Sequence, residues 1–438
     1  MATQLEALTS DFSYFDAPML QRAVVREFDK TCHPLSAIQA GSPIEFHVPA
    51  VDRQYLDLRH SELEVCCYIK APDGTKVTDA TKAGPDNNLL NSLFRSVEVE
   101  LNGYLVSDAN SLYPYRSMAE ALTSYSKDVV ETRLQAEGFM IDSPGNLADT
   151  NPNGNNSGLK TRSQLFAGRN TITLCGRPNV DIFHADRCLP PNVEMRLRLN
   201  PSSSKFVIKT ATPATGQTQV EYTIHIQCAR LIIHVKEVSN AFAEAHKTVL
   251  KNKPYRIPIT RMAAKILTIS KGSSNFEQDI FDTLPDRIVL MMVDDSSLNG
   301  EYTSNPFFFN HFNLKQLGLK VNGQPVPVDV VKMDFTSKQY IKAYRFLLKQ
   351  LELSEGDKSL CLSPDDWANG YTFFAIRIVP HPSGPGIEQV KSRDSNVRLE
   401  LQFDSGSPSE TVSVIVLAEH SDALLIYESR QVRFESKS

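Results

Sequence analysis

Hydrophobic and polar residues alternate along much of the chain with a period of two, the pattern of β-strands that bury one face in a core. The clearest runs begin at Ile44, Leu63, Val97, Val193 and Val397. Asn-Gly and Asp-Gly pairs occur at the ends of several strands, and such pairs favour the positive φ angles of tight hairpin turns. The pattern therefore predicts a fold dominated by short strands.

Helical spacing is confined to brief segments. Apolar residues recur at intervals of three and four over 112–122 and 338–351, and the same spacing predicts a third short helix over 17–28. These segments do not alternate regularly with strands, as the units of a parallel sheet would. A Rossmann sheet or a TIM barrel is therefore not expected.

An internal repeat organises the chain. The strand, Asn-Gly turn, strand and helix that begin at Val97 recur in the same order from Leu317. Further along, the alternating run that follows Asn192 recurs after Asn396. Either block alone would be common, but the same two blocks in the same order predict two halves with a duplicated strand order.

Each half closes with two aliphatic runs, at 222–235 and at 412–427, which we interpret as hairpin-like pairs. Each half is long enough for eight strands, and two sheets packed face to face bury the apolar face of every strand. The sequence thus predicts an all-β protein of two tandem eight-stranded jelly-roll sandwiches with short helices in the loops. The predicted boundaries are an N-terminal arm at 1–40, a first jelly roll at 41–238, a linker or short helix at 239–253 and a second jelly roll at 254–438.

Composition and charge limit the binding partners and the cellular compartment that we expect. The 438 residues are 41% hydrophobic and 22% charged, which suits a globular protein with real cores. A net charge of −5 gives no global basic field, so no sequence-specific nucleic-acid partner is expected. The seven cysteines are irregularly spaced, and no apolar run has the length of a signal peptide or a transmembrane segment. We expect a cytosolic or nuclear chain with reduced thiols.

The chain lacks the short motifs of nucleotide-binding, serine-hydrolase, zinc-protease and dithiol-redox enzymes. The remaining candidates have too few partners for zinc or calcium, or lack the basic residues that would accompany base stacking. We therefore predict no catalytic, cofactor-binding or metal-ligating residues, no cofactor, and no enzyme. We interpret His225 with Cys228 and His184 with Cys188 as half-buried or loop residues that bind no metal. The acidic doublets 294–295 and 365–366 are interpreted as solvated loop charges, and the aromatic runs 307–309 and 371–374 as core or subunit-interface residues.

Three blocks of residues carry a resemblance to a known family. They are Tyr-Phe-Asp-Ala-Pro at 14–18 followed by 22–28, Asn-Asn-Leu-Leu-Asn-Ser-Leu-Phe at 87–94 followed by the Asn-Gly pair at 102–103, and Asp-Ile-Phe-His at 181–184 followed by Leu-Pro-Pro-Asn-Val at 189–193. In this order they resemble the major capsid (hexon) proteins of adintoviruses and related Maverick/Polinton-type elements, including their copies in animal genomes. The likeness is strongest over 12–240.

The resemblance implies a double jelly roll that trimerises into pseudo-hexameric capsomers and builds an icosahedral shell around double-stranded DNA. It implies as partners further copies of the chain, a single-jelly-roll penton protein, and minor capsid or cement proteins. The protein would be made in the host cytoplasm, assembled in the nucleus and located in the virion. The polar loop at 141–169 is expected on the outer surface, and to be mobile unless neighbours clamp it.

The residues alone leave two alternatives open. One is a two-domain β-sandwich protein that binds ligands or carbohydrates, because jelly rolls also serve lectins and cupins. The other is a glycan-acting or metal-dependent enzyme whose site forms only in the folded chain.

Overall fold

The computed structural model describes residues 23–107, 110–168, 171–327, 330–355, 359–379 and 394–437. Their strands are β1 Val24–Cys32, β2 Ile44–Val48, β3 Gln54–Lys70, β4 Gly84–Pro85, β5 Phe94–Leu101, β6 Tyr104–Leu105, β7 Ile172–Gly176, β8 Met195–Pro201, β9 Ile208–Lys209, β10 Thr223–Val238, β11 Tyr255–Ile269, β12 Asn275–Thr283, β13 Arg287–Asp294, β14 Leu314–Val321, β15 Gln324–Pro325, β16 Val331–Lys332, β17 Phe373–Arg377, β18 Asp394–Phe403, β19 Val412–Ile426 and β20 Val432–Phe434.

Short helices lie between the strands. The α-helices are α1 Leu89–Ser92, α2 Tyr113–Ser124, α3 Lys127–Val130, α4 Ser157–Gln164, α5 Ser204–Val207, α6 Asn240–Leu250, α7 Asp295–Leu298, α8 Ile341–Gln350 and α9 Pro364–Ala368. Single 3₁₀ turns occupy Arg133–Glu137, Asp181–His184 and Glu435–Lys437. Helices α2 and α8 confirm the helical spacing at 112–122 and 338–351. None of the described helices is both long enough and apolar enough to cross a membrane.

The strands form two sandwiches with the same topology. In the first, one sheet has the order β1-β10-β3-β7 and the facing sheet β2-β8-β5-β6. In the second, the orders are β11-β19-β13-β17 and β12-β18-β14-β15, with β20 added to β19 and β16 added to β14. The two sets correspond strand for strand, and all these pairings are antiparallel. The fold is the predicted double jelly roll.

The repeated Asn-Gly pairs occupy equivalent turns. The pair at 102–103 joins β5 to β6, and the pair at 322–323 joins β14 to β15. The φ angles are 49° and 50° at the asparagines and 77° and 82° at the glycines, as a two-residue turn of positive φ requires. Each asparagine Oδ1 accepts a 2.9 Å hydrogen bond from a backbone N–H, that of Glu194 in one half and of Asn396 in the other. The predicted duplication is confirmed at these turns.

The closing strands differ from the prediction in the same way in both halves. The two runs at 222–235 form the single strand β10, and those at 412–427 form β19, so the hairpin interpretation is wrong. Neither β10 nor β19 contains a Gly or Pro that would turn the chain. In β10 a register shift between Ile226 and Cys228 interrupts the pairing with β3 without ending the strand.

The N-terminal part of the described chain also differs. Strand β1 lies inside the segment predicted as an arm (1–40), but it pairs with β10 from Val24 to Cys32 and belongs to the first sandwich. The described end of the predicted 17–28 helix is therefore strand, because pairing to a sheet edge overrides a weak helical pattern. The part of that helix before residue 23 lies outside the described residues. In the predicted linker, Ser239 caps α6 by accepting the Phe242 N–H.

One apolar core cluster includes residues of both sandwiches. Strand alternation places Cys67 in it, fully buried, and turns the adjacent Cys66 to the outer face of the sheet. Cys66 lies opposite Cys228 on β10, with 5.0 Å between their Cα atoms, and a disulfide joins them. The expectation of reduced thiols is wrong for this pair, because the sheet brings together two cysteines that are 162 residues apart.

Candidate functional site: the seam between the two sandwiches

The contact between the two sandwiches is here called the seam, and a buried lysine is part of it. Strand β9 places Lys209 at 1% exposure, 3.3 Å from a carboxylate oxygen of Asp86, which follows β4. The lysine Nζ also donates to the carbonyl oxygens of Lys205, Phe206 and, from the second half, Glu301 at 3.0–3.1 Å. Burial lowers the pKa of Lys209 and raises that of Asp86. The three carbonyl oxygens accept the hydrogen bonds that the ammonium group would otherwise make to water, which offsets the cost of its burial.

A second buried ion pair lies beside the first. Helix α4 carries Arg162, whose Nη2 lies 2.8 Å from Oδ1 of Asp142, and both side chains are 1% exposed. The guanidinium also donates to the carbonyl oxygens of Pro85 and Met140. The backbone N–H of Asp142 donates to the hydroxyl of Tyr371 in the second half at 2.7 Å. The pair therefore holds its loop at the point where the loop touches the other sandwich.

The Asn-rich loop is clamped by the same neighbours. The Asp149 carboxylate accepts backbone N–H groups of Asn151 and Asn155, which folds the loop on itself. Across the seam, the side chain of Asn305 donates to the Leu147 carbonyl at 2.9 Å. Nearby, the Gly145 N–H donates to the carbonyl of Asn369. Of the two outcomes expected for this loop, the structure shows the clamped one.

Aromatic rings from both halves pack against one another at the seam. Tyr115 of α2, Phe206 of α5 and Phe307 of the second half form an edge-to-face trio with ring centroids 5.7–6.0 Å apart. The Tyr115 hydroxyl donates to the Leu298 carbonyl at 2.9 Å. At Gly300, a Cβ atom would lie 2.3 Å from the Phe206 Cα, and φ is +79°, so glycine is required for this approach. The two sandwiches form one packed unit.

A cavity of about 330 Å³ in the first sandwich is lined by residues of β3, β7, α2 and the turn at Arg133–Glu137. Burial raises the pKa of Glu137 to about 7, whereas burial and the nearby Arg177 lower that of His184 to about 2. The Cys175 thiol donates to Glu62, and burial together with that carboxylate raises its pKa to about 12. At neutral pH the thiol is therefore protonated and the imidazole neutral.

The histidine and cysteine pairs considered from the sequence do not assemble into ligand sets. The ring of His225 packs against Tyr68 at 4.9 Å between centroids, and Cys228 is in the disulfide. His184 lies 3.3 Å from Glu120 rather than pairing with a cysteine. Within the described residues, one group brings three ligand atoms within 4.8 Å of one another, namely Glu64, Cys66 and Cys228.

The interpretation of the acidic doublets as loop residues is wrong, because 294–295 joins the end of β13 to the start of α7 and 365–366 lies in α9. In the doublet 365–366, one carboxylate accepts the Tyr340 hydroxyl and the other completes a capping box with Ser363. Asp295 accepts a hydrogen bond from Ser413. Of the two interpretations of the aromatic runs, core packing is confirmed for Phe307, Phe309, Tyr371, Phe373 and Phe374, which are buried within the chain, whereas Phe308 is half-buried.

Sequence reasoning did not find the buried charges of the seam. Lysine and arginine are mostly exposed, so a lone Lys209 or Arg162 gives no signal of burial. Their carboxylate partners, Asp86 and Asp142, lie outside regular strands and helices, where alternation gives no signal of burial. The duplicated strand pattern likewise says nothing about which loops touch across the two halves.

No protein-family profile matches the chain. A Caenorhabditis elegans protein described as uncharacterized is 22% identical over 397 residues, which cover 88% of this chain and 91% of the worm protein.

Several solved virus structures share the architecture. A chain of the Sputnik virophage superposes with a TM-score of 0.65 at 11% identity, covering 99% of this chain and 93% of that one. The Faustovirus major capsid protein gives 0.58 at 12% identity, covering 97% and 93%. The mavirus major capsid protein gives 0.50 at 11% identity, covering 99% and 96%. The likeness in fold thus covers 97–99% of this chain.

Proposed function

We propose that this chain is a viral major capsid protein (hexon) that trimerises into pseudo-hexameric capsomers and builds an icosahedral shell around double-stranded DNA. The observation that carries the proposal is a pair of equivalent eight-stranded jelly rolls, locked by a buried seam within one chain. The same architecture occurs in proteins that are themselves capsid proteins, those of Faustovirus and mavirus.

The physical argument concerns symmetry. Three identical chains bring six similar sandwiches to one position, and closed cyclic symmetry ends growth at three copies. Such a capsomer needs each chain to act as one rigid block. The seam supplies this rigidity through buried ion pairs, hydrogen bonds and aromatic packing between the halves.

We further propose the adintovirus or Maverick/Polinton type. The worm protein of similar length supports this type, because the resemblance includes copies carried in animal genomes. The partners proposed with it are neighbouring capsomers, a single-jelly-roll penton protein, and minor capsid or cement proteins. Synthesis in the host cytoplasm, nuclear assembly and a final location in the virion belong to the same proposal.

The proposed building blocks follow the sheets. The first runs from β1 to β10 and the second from β11 to β20, with α6 as the linker. Assembly of this kind needs no catalytic residue, cofactor or sequence-specific contact to nucleic acid. A local contact with packaged DNA would be set by surface charge rather than by base recognition.

Light scattering of the purified chain tests the proposal. We expect a trimer of about 147 kDa, three times the 48.9 kDa of one chain, with an interface in the obligate range of about 2,000–5,000 Å². Electron microscopy of the same sample should show particles with pseudo-hexagonal outlines. A monodisperse monomer at micromolar concentration would contradict the proposal. A monomer or dimer that binds glycans on an array would favour the ligand-binding alternative.

A further inference from the structure

Three potential metal ligands share the outer face of the β1-β10-β3-β7 sheet. Glu64 and Cys66 are two residues apart on β3, so their side chains lie on the same side of the sheet. Cys228 lies directly opposite Cys66 on β10. One carboxylate oxygen and the two sulfur atoms all lie within 4.8 Å of one another, and the three residues are half-buried.

In this structure the two sulfurs are joined by a bond, so they must separate on reduction before they can share a tetrahedral soft cation with Glu64. Zinc binds thiolate sulfur at about 2.3 Å and carboxylate oxygen at about 2.0–2.2 Å, so its ligand atoms are mutually roughly 3.5–4 Å apart. Half-exposure of the three residues leaves the fourth position to water. Arg230 contacts Glu64 at 3.2 Å, which orients the carboxylate and balances the negative charge of two thiolates and one carboxylate on a divalent ion.

We propose that reduction of the Cys66–Cys228 disulfide opens a binding site for Zn²⁺ or a similar soft divalent cation, with Glu64 as the third protein ligand. A dithiol reductant transfers two electrons and two protons, giving two thiols and an oxidised reductant. Metal binding then releases the two thiol protons and forms two sulfur–metal bonds and one oxygen–metal bond. While the disulfide is intact, the sulfurs are not thiolates and the site is closed.

A neighbouring thiol of the same face is excluded from the ligand set. Cys175 lies opposite Glu64 on β7, but its sulfur donates a hydrogen bond to Glu62 at 3.3 Å. The sulfur of Cys175 is not among the three ligand atoms that lie within 4.8 Å of one another. Cys175 is therefore a matched control for a half-exposed cysteine of this sheet that does not bind metal.

Cobalt spectroscopy of the full chain tests the site. The protein is reduced with a dithiol, freed of it under inert gas and titrated with Co²⁺. We expect one Co²⁺ per chain, a thiolate-to-cobalt charge-transfer band and tetrahedral d–d bands, all displaced by Zn²⁺. The oxidised protein should show none of these bands. Cys66→Ser should remove them, Glu64→Gln should weaken binding by roughly tenfold, and Cys175→Ser should leave binding unchanged.

The contrary results are equally distinct. Absence of the bands in reduced wild type, their survival in Cys66→Ser, or their loss in Cys175→Ser would each overturn the proposed ligand set. If Cys66→Ser does not fold, alkylation of the folded, reduced wild-type protein supplies the same test, since blocked thiols cannot bind cobalt. The inference rests on one face of the first sandwich and is independent of the proposed capsid function.

Discussion

The two sandwiches share their strand topology but fill their loops with different chemistry. In the first sandwich, the loop core is built on buried ion pairs. These pairs are Arg162 with Asp142, Lys209 with Asp86, and Arg116 with Asp181. In the second, an aromatic cluster packs around Trp367, which is fully buried and donates its indole N–H to the Phe373 carbonyl.

The aromatic cluster holds helices α8 and α9 against the sheet. The rings within 6.3 Å of the Trp367 ring are those of Phe335, Tyr340, Tyr344 and Phe374. Such a cluster is stabilised by buried apolar area and by ring packing, and each ring makes part of its contribution independently of the others. A buried ion pair is different, because either partner alone is an uncompensated charge. The two halves therefore share a strand framework but stabilise their loops by different kinds of interaction.

The largest expected effect comes from breaking one ion pair. Arg162→Ala leaves Asp142 buried and unpaired, and we expect a loss of about 4 kcal/mol in the free energy of unfolding. The double variant Arg162→Met with Asp142→Leu should recover most of that loss, because neither position of this pair then carries a charge. Urea unfolding measures both, with Arg198→Ala in an exposed ion pair as a control that should cost less than about 1 kcal/mol. A single variant as mild as the control would remove the contrast between the halves.

The aromatic cluster should respond without such partner dependence. Trp367→Ala removes a fully buried ring and an indole hydrogen bond, and we expect a loss of about 3 kcal/mol. Trp367→Phe should lose less, because a ring still fills part of the volume. Thermal unfolding of both variants checks the order. If Tyr344→Phe restored the stability of Trp367→Ala, the second loop core would behave like a coupled network after all.

One buried titratable group in each half should make the stability of the protein depend on pH, and the two dependences should have opposite directions. In the first half, burial raises the pKa of Glu137 from 4.5 to about 7, although Arg133 and Arg177 oppose the shift. The folded state thus prefers the protonated carboxyl, and stability falls as pH rises from about 4.5 to about 7. In the second half, burial lowers the pKa of His311, stacked on Phe335, from 6.5 to about 4. Its contribution falls as pH drops from about 6.5 to about 4.

Variants isolate the two titrations. Glu137→Gln imitates the protonated carboxyl, and we expect it to be more stable than wild type at pH 8 by about 2 kcal/mol and similar at pH 4. His311→Gln cannot be charged, so relative to wild type it should gain stability as pH falls from 7 to 4, again by about 2 kcal/mol. Chemical unfolding at these pH values gives both differences. Parallel pH profiles for the two variants would contradict the assignment.

The smallest expected effect concerns the feature that the halves share. Asn102→Ala and Asn322→Ala each remove an asparagine from a left-handed position and an acceptor for a backbone N–H. We expect each to cost about 1 kcal/mol. Asn102 also donates to the Arg430 carbonyl, so its variant should be slightly worse. Equal stabilities within experimental error for both variants and wild type would show that these turns do not need asparagine.

The strand framework could be predicted from the sequence because its signal is local and repeated. Alternation gave β2, β5, β8 and β18, and the Asn-Gly pairs marked equivalent hairpins in the two halves. The prediction failed where local signals conflicted with sheet pairing. Strand β1 carries a helical spacing, and the polar middle of β19 resembles a turn, but hydrogen bonds to neighbouring strands decide both segments.

The seam and the disulfide depend on contacts that have no local sequence signal. Lys209 and Asp86 are more than a hundred residues apart, and the disulfide joins Cys66 to Cys228 across two strands. Only the strand order brings these partners together. The count and spacing of the cysteines predict reduced thiols. Their pairing depends instead on which strands are neighbours in the sheet.

The hydrogen bonds of the seam bear on how sequences of this fold can diverge. The side chains of Tyr115, Lys209 and Asn305 all reach across to main-chain carbonyl oxygens rather than to side chains. A carbonyl is present whatever residue occupies the accepting position, so mutation there leaves the bond intact while the backbone keeps its path. Selection can therefore act on one partner of each contact and leave the other free to drift. Such contacts can persist between chains of about a tenth sequence identity, and they would leave little trace as correlated substitutions.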